Sequence, residues 1–100
     1  MSAEEHPRTA QAGTIESMDC LVTIAVSAGG RIIEITGASA AMFGSAMTAK
    51  INQTLDELER SVGVGKETVK VTVQDNGALD LVLGARVEAA YRRYFGGAGA

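Results

Sequence analysis

Apolar and polar residues alternate most clearly over residues 68–74, which read Thr-Val-Lys-Val-Thr-Val-Gln. A period of two with β-branched residues at most positions predicts a strand that is buried on one face. We expect Val69, Val71 and Val73 to share that buried face, while the residues between them point to the other side of the sheet.

Two further apolar runs, residues 20–26 and 31–36, predict a second pair of strands. Between them, Gly29 and Gly30 can supply the positive φ angles of a tight turn. The two runs are therefore predicted to pair with each other as a hairpin. A short additional strand is expected near residues 12–16.

Apolar residues with helical spacing follow in two later segments. One stripe recurs every three or four residues and predicts a helix from about 38 to 61; it consists of Phe43, Met47, Ile51, Leu55, Leu58 and Val62. A second stripe predicts a helix over about 77–94, and it consists of Leu79, Leu83, Val87, Ala90 and Tyr94.

This order of elements indicates an α+β fold. We expect a small sheet of three to four strands, an antiparallel hairpin plus a crossover strand, covered on one face by two helices. Residues 1–11 and 96–100 lack apolar periodicity, so they are predicted to be flexible tails. Residues 12–95 are predicted to form one domain.

Composition narrows the classes of function. A net charge of −3 gives no electrostatic reason to expect nucleic-acid binding. One cysteine and one histidine exclude a zinc site built from those residues, and no metal site is expected. No apolar run approaches the ~18 residues needed to span a bilayer. Because the first residues are acidic where a secretory signal is basic, we expect a cytoplasmic protein that does not bind membranes.

Few residues are suited to catalysis. The only imidazole, His6, lies in the predicted N-terminal tail, so no histidine-assisted nucleophile is expected. Cys20 begins an apolar strand and is expected to be a buried thiol. Residues 63–66 resemble the end of a phosphate-binding loop, but Glu67 stands where Ser or Thr is required. We therefore expect no catalytic residue in this chain.

A polar segment just before the first long predicted strand contains a candidate modification site. Ser17 lies there between the carboxylates Glu16 and Asp19. One interpretation is an ordinary polar turn. The other is a modification site, since a serine modified by another enzyme needs exposure and mobility but no base of its own. The acidic neighbours would then give that enzyme an electrostatic handle.

Two blocks of the sequence resemble the citrate lyase acyl carrier protein family, the gamma subunit of that complex. The first block is residues 13–19, Gly-Thr-Ile-Glu-Ser-Met-Asp. The second is residues 73–80, Val-Gln-Asp-Asn-Gly-Ala-Leu-Asp, and it continues through 82–89, Val-Leu-Gly-Ala-Arg-Val-Glu-Ala. The resemblance covers about residues 12–93. Met18 departs from it, because the family has a small or polar residue there.

The resemblance implies a carrier that performs no catalytic step. Ser17 would bear 2'-(5''-triphosphoribosyl)-3'-dephospho-coenzyme A, attached covalently by a prosthetic-group transferase. The alpha subunit, an acyl transferase, would exchange acetyl for citrate on this arm. The beta subunit would cleave citryl to acetyl plus oxaloacetate with Mg²⁺. Glu16, Asp19 and Arg86 are expected to help the modifying enzyme or the partner subunits recognise the carrier; a salt link to a nearby carboxylate is the other interpretation of Arg86.

Other functions remain open at this point. The carriers of citramalate lyase and malonate decarboxylase use the same kind of prosthetic group. A small interaction domain of ferredoxin-like design is a different class, in which Ser17 has no role. A conventional phosphopantetheine carrier is disfavoured, because the strand over residues 68–74 contradicts an all-helical fold.

Overall fold

Four strands and two helices make up the computed structural model, which describes residues 8–62 and 68–96. The strands are β1 (Ala10–Gly13), β2 (Asp19–Ser27), β3 (Ile32–Gly37) and β4 (Thr68–Asn76). The helices are α1 (Ala40–Val62) and α2 (Asp80–Tyr91), and α2 runs into a π-helical turn over Arg92–Gly96. None of the helices described is both long and apolar enough to cross a membrane.

Some of the predicted segments lie outside the residues that the structure describes, and one predicted boundary differs from the observed one. Most of the predicted N-terminal tail (residues 1–7), the segment that resembles a phosphate loop (63–67) and residues 97–100 lie outside the described residues. The first strand begins at Ala10, two residues before the predicted start of the domain.

The sheet has the strand order β1-β2-β4-β3. The pairs β1–β2 and β2–β4 are antiparallel, whereas β3 and β4 are parallel and are connected through α1. The sheet therefore contains an antiparallel hairpin and a crossover strand, and both helices cover the same face. This confirms the predicted α+β fold class.

The predicted pairing of residues 20–26 with 31–36 is wrong, because β4 lies between β2 and β3. Gly30 has the positive φ expected of a turn, 107°. However, Arg31 donates from Nη1 to Asn52 Oδ1 at 2.9 Å and from Nη2 to Glu59 Oε2 at 2.8 Å. Arg31 thus ties the start of β3 to α1, the helix that carries the chain from β3 across to β4. A glycine pair shows where a chain turns, but not which strand comes next to it.

The core lies between the sheet and the helices. Alternate residues of β2 and β4 are buried, as the period of two predicts for Val69, Val71 and Val73. The helical stripes supply the opposite wall. Other side chains with almost no exposure are Val22, Ile24, Ile51, Leu55, Leu83, Val87 and Tyr91. Burial of these apolar groups is the main favourable contribution to folding.

Two predicted core residues are exposed. Phe43 retains 54% of its accessible surface and Leu79 retains 63%, although both are in phase with buried stripes. Phe43 lies in the first turn of α1, and Leu79 immediately precedes α2. Both helices begin at the end of the sheet where β3 and β4 stop, so no strand lies opposite these side chains. The burial expected of Val62 lies outside what the structure describes.

Candidate functional site

Three connections of the chain lie at one end of the sheet. The loop 14–18 joins β1 to β2, and β3 and β4 terminate beside it. The strand register places Asp19 opposite Asn76 and Gly37 opposite Asp75. Both helices also begin at this end. The segment that contains Ser17 therefore lies next to the end of β4.

Ser17 is exposed in a turn of this loop, so the structure gives it the exposure that the modification-site interpretation needs. The loop folds on itself through two local hydrogen bonds. The N–H of Glu16 donates to Thr14 Oγ1 at 3.1 Å, and the N–H of Asp19 donates to the carbonyl of Glu16, also at 3.1 Å. The side chain of Glu16 is exposed beside Ser17. The serine thus lies on an ordered turn with its side chain accessible.

Asn76, the last residue of β4, holds the loop on both sides of Ser17. Its carbonyl accepts a hydrogen bond from the N–H of Met18 at 2.6 Å. Its side-chain Nδ2 donates to the carbonyl of Ile15 at 2.9 Å. One residue therefore anchors the backbone two positions before the serine and one position after it.

Asp19 and Arg86 are brought together at the base of the loop. Arg86 donates from Nε to Asp19 Oδ1 at 2.9 Å and from Nη2 to Oδ2 at 3.2 Å. Asp19 also accepts hydrogen bonds from the Thr14 hydroxyl at 2.8 Å and the Cys20 N–H at 2.7 Å. The Arg86 guanidinium, followed by these two donors, holds the pKa of Asp19 far below its usual range. The salt-link interpretation of Arg86 matches this geometry, while its role toward a partner stays a prediction.

Gly13 makes room for this ion pair. Its φ is +96°, a region that favours glycine. A Cβ at this position would lie 1.9 Å from the carbonyl oxygen of Cys20 and 3.0 Å from Arg86 Cδ. The glycine therefore lets β1 pass close to both β2 and the arginine stem.

Asp75 joins the two connections that lead into the helices. Its carboxylate accepts hydrogen bonds from the N–H groups of Ser39, Gly77 and Ala78 at 3.2, 3.1 and 3.0 Å. Burial alone raises the pKa of this carboxyl, but the N–H donors outweigh burial and lower it. From the sequence, Asp75 is assigned no role of its own. The available signal was an aspartate followed by Asn-Gly, a pattern in which the side chain binds backbone N–H groups.

Cys20 behaves as predicted for a structural thiol. Its side chain is completely buried. Desolvation raises the pKa of the thiol to about 11, and the charges of Asp19 and Asp75 act in the same direction. Because the thiolate is the reactive form, this cysteine is poorly suited to nucleophilic chemistry.

An apolar groove of about 500 Å³ runs between the start of α1 and the β4–α2 connection. It is lined by Ser39, Phe43, Ala46, Met47, Gly77, Ala78, Leu79 and Asp80. The groove adjoins the Ser17 loop, since a Cβ on Gly77 would lie 3.8 Å from Met18 Cα. The candidate site therefore consists of an exposed serine on an anchored loop with an apolar groove next to it.

A family model matches most of this chain. The model is an acyl carrier (ACP) model described as malonate decarboxylase delta subunit (MdcD), and it matches residues 7–94. Acyl carriers of this class hold a covalently attached prosthetic group, and the exposed hydroxyl of Ser17 is accessible enough to bear one. The chain thus belongs to an acyl carrier family.

Curated relatives make the family more specific. The citrate lyase acyl carrier protein of Halothermothrix orenii is 36% identical over 94 residues, which cover 94% of this chain and 94% of that protein. The protein of the same name from Pectobacterium atrosepticum is 40% identical over 82 residues, 82% of this chain and 79% of its own. That of Klebsiella pneumoniae is 40% identical over 85 residues, with 84% and 81% covered. This chain belongs to the citrate lyase acyl carrier protein family, as its sequence blocks predicted.

Proposed function

We propose that this chain is the acyl carrier subunit of a citrate lyase and that Ser17 is its prosthetic-group attachment site. The observation that carries the proposal is the exposed serine on the β1–β2 hairpin, in a chain that belongs to an acyl carrier family. Because the hydroxyl is exposed, a large group can be attached to it without any rearrangement of the core. The anchored backbone on either side gives the group a defined point of departure.

The proposed group is 2'-(5''-triphosphoribosyl)-3'-dephospho-coenzyme A, joined to Ser17 Oγ through a phosphodiester. When bound, it supplies a thiol that carries acetyl or citryl groups as thioesters. The chain itself positions and recognises this group, since Ser17 provides the hydroxyl and Asn76 fixes the loop around it. Tethering raises the effective concentration of the thioester at the partner active sites.

The proposed partners are the alpha and beta subunits of the lyase and the prosthetic-group transferase, all in the cytoplasm. Glu16 is the residue best placed to contact the transferase, because its exposed carboxylate directly precedes Ser17. Asp19 and Arg86 contribute indirectly in this proposal. They bind each other, so their role is to hold the base of the loop.

Replacing Ser17 tests the attachment site. The chain is produced together with the other lyase subunits and the modifying enzymes, and its intact mass is measured. The wild-type chain should gain the mass of the prosthetic group, whereas Ser17→Ala should gain nothing and should give an inactive complex. Ser45→Ala, a change at an exposed serine of α1, is the matched control and should be loaded normally.

Ser17→Ala should leave the free energy of unfolding within about 0.5 kcal/mol of wild type, since the residue is exposed. A correctly folded Ser17→Ala chain that still gained the group would place the attachment at another residue.

A malonate decarboxylase carrier is the second candidate, favoured by the description of the matching family model. Citramalate lyase uses the same kind of carrier as well. Assembly with purified subunits distinguishes the three enzymes. The loaded chain should restore citrate cleavage to carrier-free citrate lyase, and restoration of only malonate decarboxylation or only citramalate cleavage would assign it to the corresponding complex.

A further inference from the structure

The groove beside the Ser17 loop exposes side chains that the sequence pattern would bury. Phe43 lines it from α1 and Leu79 from the β4–α2 connection, and both are exposed, whereas Met47, which also lines it, has only 4% exposure. Large apolar side chains grouped on a surface mark interaction sites more often than scattered ones do. The two exposed wall residues are therefore candidates for contact with another molecule.

Met18 extends the apolar surface to the residue that follows Ser17. Its side chain is 60% exposed. Its φ is +66°, a conformation that non-glycine residues seldom adopt. A long apolar side chain at a strained and solvated position gains nothing from folding. Such outliers cluster at functional sites, where another molecule makes use of the conformation.

The charge around the groove is negative. Of the described residues that line it, Asp80 is the only one with a charge, and Glu16 is exposed on the neighbouring loop. The whole chain carries a net charge of −3. A complementary surface would be apolar at its centre, with Lys or Arg side chains around it.

We propose that Phe43, Leu79 and Met18 form the surface through which the carrier docks onto the lyase subunits that act on its arm. This inference rests on the proposed function. The occupant is an apolar side chain of the partner subunit, inserted between Phe43 and Leu79 beside the entrance of the partner's active site and flanked there by basic residues. Because this surface adjoins Ser17, docking here points the arm into that entrance.

A protein surface fits the groove better than the arm does. The arm must extend away from Ser17 whenever it reaches an active site, and the acidic side chains of Glu16 and Asp80 repel its phosphates. Two subunits must approach the same serine in turn. Flexible methionine side chains such as Met18 adapt to more than one partner surface, which suits this requirement.

Binding of the unmodified carrier to alpha and beta subunits purified without it tests the inference by calorimetry. The double variant Phe43→Gln/Leu79→Gln should weaken the affinity by about thirtyfold or more, the effect of losing one interface hot spot. Val26→Gln is the control, because Val26 is 43% exposed at the opposite end of β2 and should change affinity by no more than about twofold. Circular dichroism should show the same fold in all three chains.

The outcomes separate this inference from the proposed function. Unchanged affinity of the double variant, or a wild-type carrier that is loaded on Ser17 but binds neither subunit, would overturn the docking surface alone. A chain that is never loaded on Ser17 would overturn the proposed attachment site. Hydrogen exchange adds a second measurement, with slower exchange expected at residues 40–47 and 76–80 in the complex. Slowing there after loading without any subunit would place the arm in the groove and overturn docking.

Discussion

The interior of the fold and the end of the sheet that bears Ser17 are held together by different interactions. In the interior, residues such as Ile24, Ile51 and Val87 are fully buried against one another. At the Ser17 end, the carboxylates of Asp19 and Asp75 accept hydrogen bonds from backbone N–H groups and from Arg86. Apolar burial stabilises the first region, and polar contacts fix the shape of the second.

This difference explains how a small chain can leave apolar side chains in solvent next to its site. Hydrogen bonds to Asp75 join the two helix starts, so Phe43 and Leu79 are not needed to hold them together. The interior supplies the stability of the fold, and the Ser17 end supplies a surface that is both ordered and open. Substitutions in the two regions should therefore have effects of different size and kind.

The largest effect on stability is expected in the interior. Leu83→Ala removes a side chain that is 1% exposed, and it should lower the free energy of unfolding by about 2–5 kcal/mol. Leu81→Ala, two residues earlier in α2, is the control, because Leu81 is 82% exposed and its loss should cost no more than about 0.5 kcal/mol. Urea denaturation measures both variants. Equal losses would show that burial does not distinguish these two positions.

A smaller effect, and one that depends on pH, is expected for Asp75. Its folded-state pKa lies below the unfolded value of about 3.9, so the ionised carboxylate stabilises the fold above that pH. This stabilisation is lost as the pH falls through the folded-state pKa. Asp75→Asn should cost about 1–3 kcal/mol at pH 7 and should make the free energy of unfolding less dependent on pH between 5 and 2.

The pH dependence should decrease without disappearing, because Asp19 also has a lowered pKa in the folded chain. Glu57→Gln, a change at an exposed carboxylate of α1, is the control and should change the free energy of unfolding at pH 7 by no more than about 0.5 kcal/mol. A wild-type pH dependence in Asp75→Asn would mean that the Asp75 carboxylate does not contribute through its ionised form.

The difference between the apolar interior and the Ser17 end also explains what could be predicted from the sequence. The alternation at Val69, Val71 and Val73 and the stripe through Leu83 and Val87 identify buried faces, because burial leaves a periodic pattern. Strand neighbours leave no such pattern. The Gly29-Gly30 turn is compatible with β2 pairing to either β3 or β4. The observed order, with β4 between β2 and β3, depends on pairing between residues that are far apart along the chain.

At the site, the resemblance identified Ser17 as the candidate, but the residues that shape its surroundings were not predicted. Asn76 binds Ile15, and Asp75 binds Ser39, across more than thirty residues of the chain, and periodicity does not register such hydrogen bonds. Phe43 and Leu79 match a core pattern. They are exposed because they lie beyond the end of the sheet, which the pattern does not show. Local patterns therefore predict the interior better than the site.

The smallest expected effect concerns the loop around Ser17. Asn76→Ala removes the hydrogen bond to the Ile15 carbonyl and leaves the backbone bond to Met18, so the global stability should fall by only about 0.5–1.5 kcal/mol. Hydrogen exchange should nevertheless become faster at the amides of Met18 and Asp19, while the amide of Val73 in β4 stays protected.

Gln74→Ala is the matched control, since Gln74 is exposed on the same strand two residues earlier. If the amides of the loop and of β4 accelerated together in Asn76→Ala, the loop would belong to the same cooperative unit as the interior, and the contrast between the two regions would fail. If the loop amides alone accelerated, Asn76 would be the residue that keeps the serine on an ordered turn without burying it.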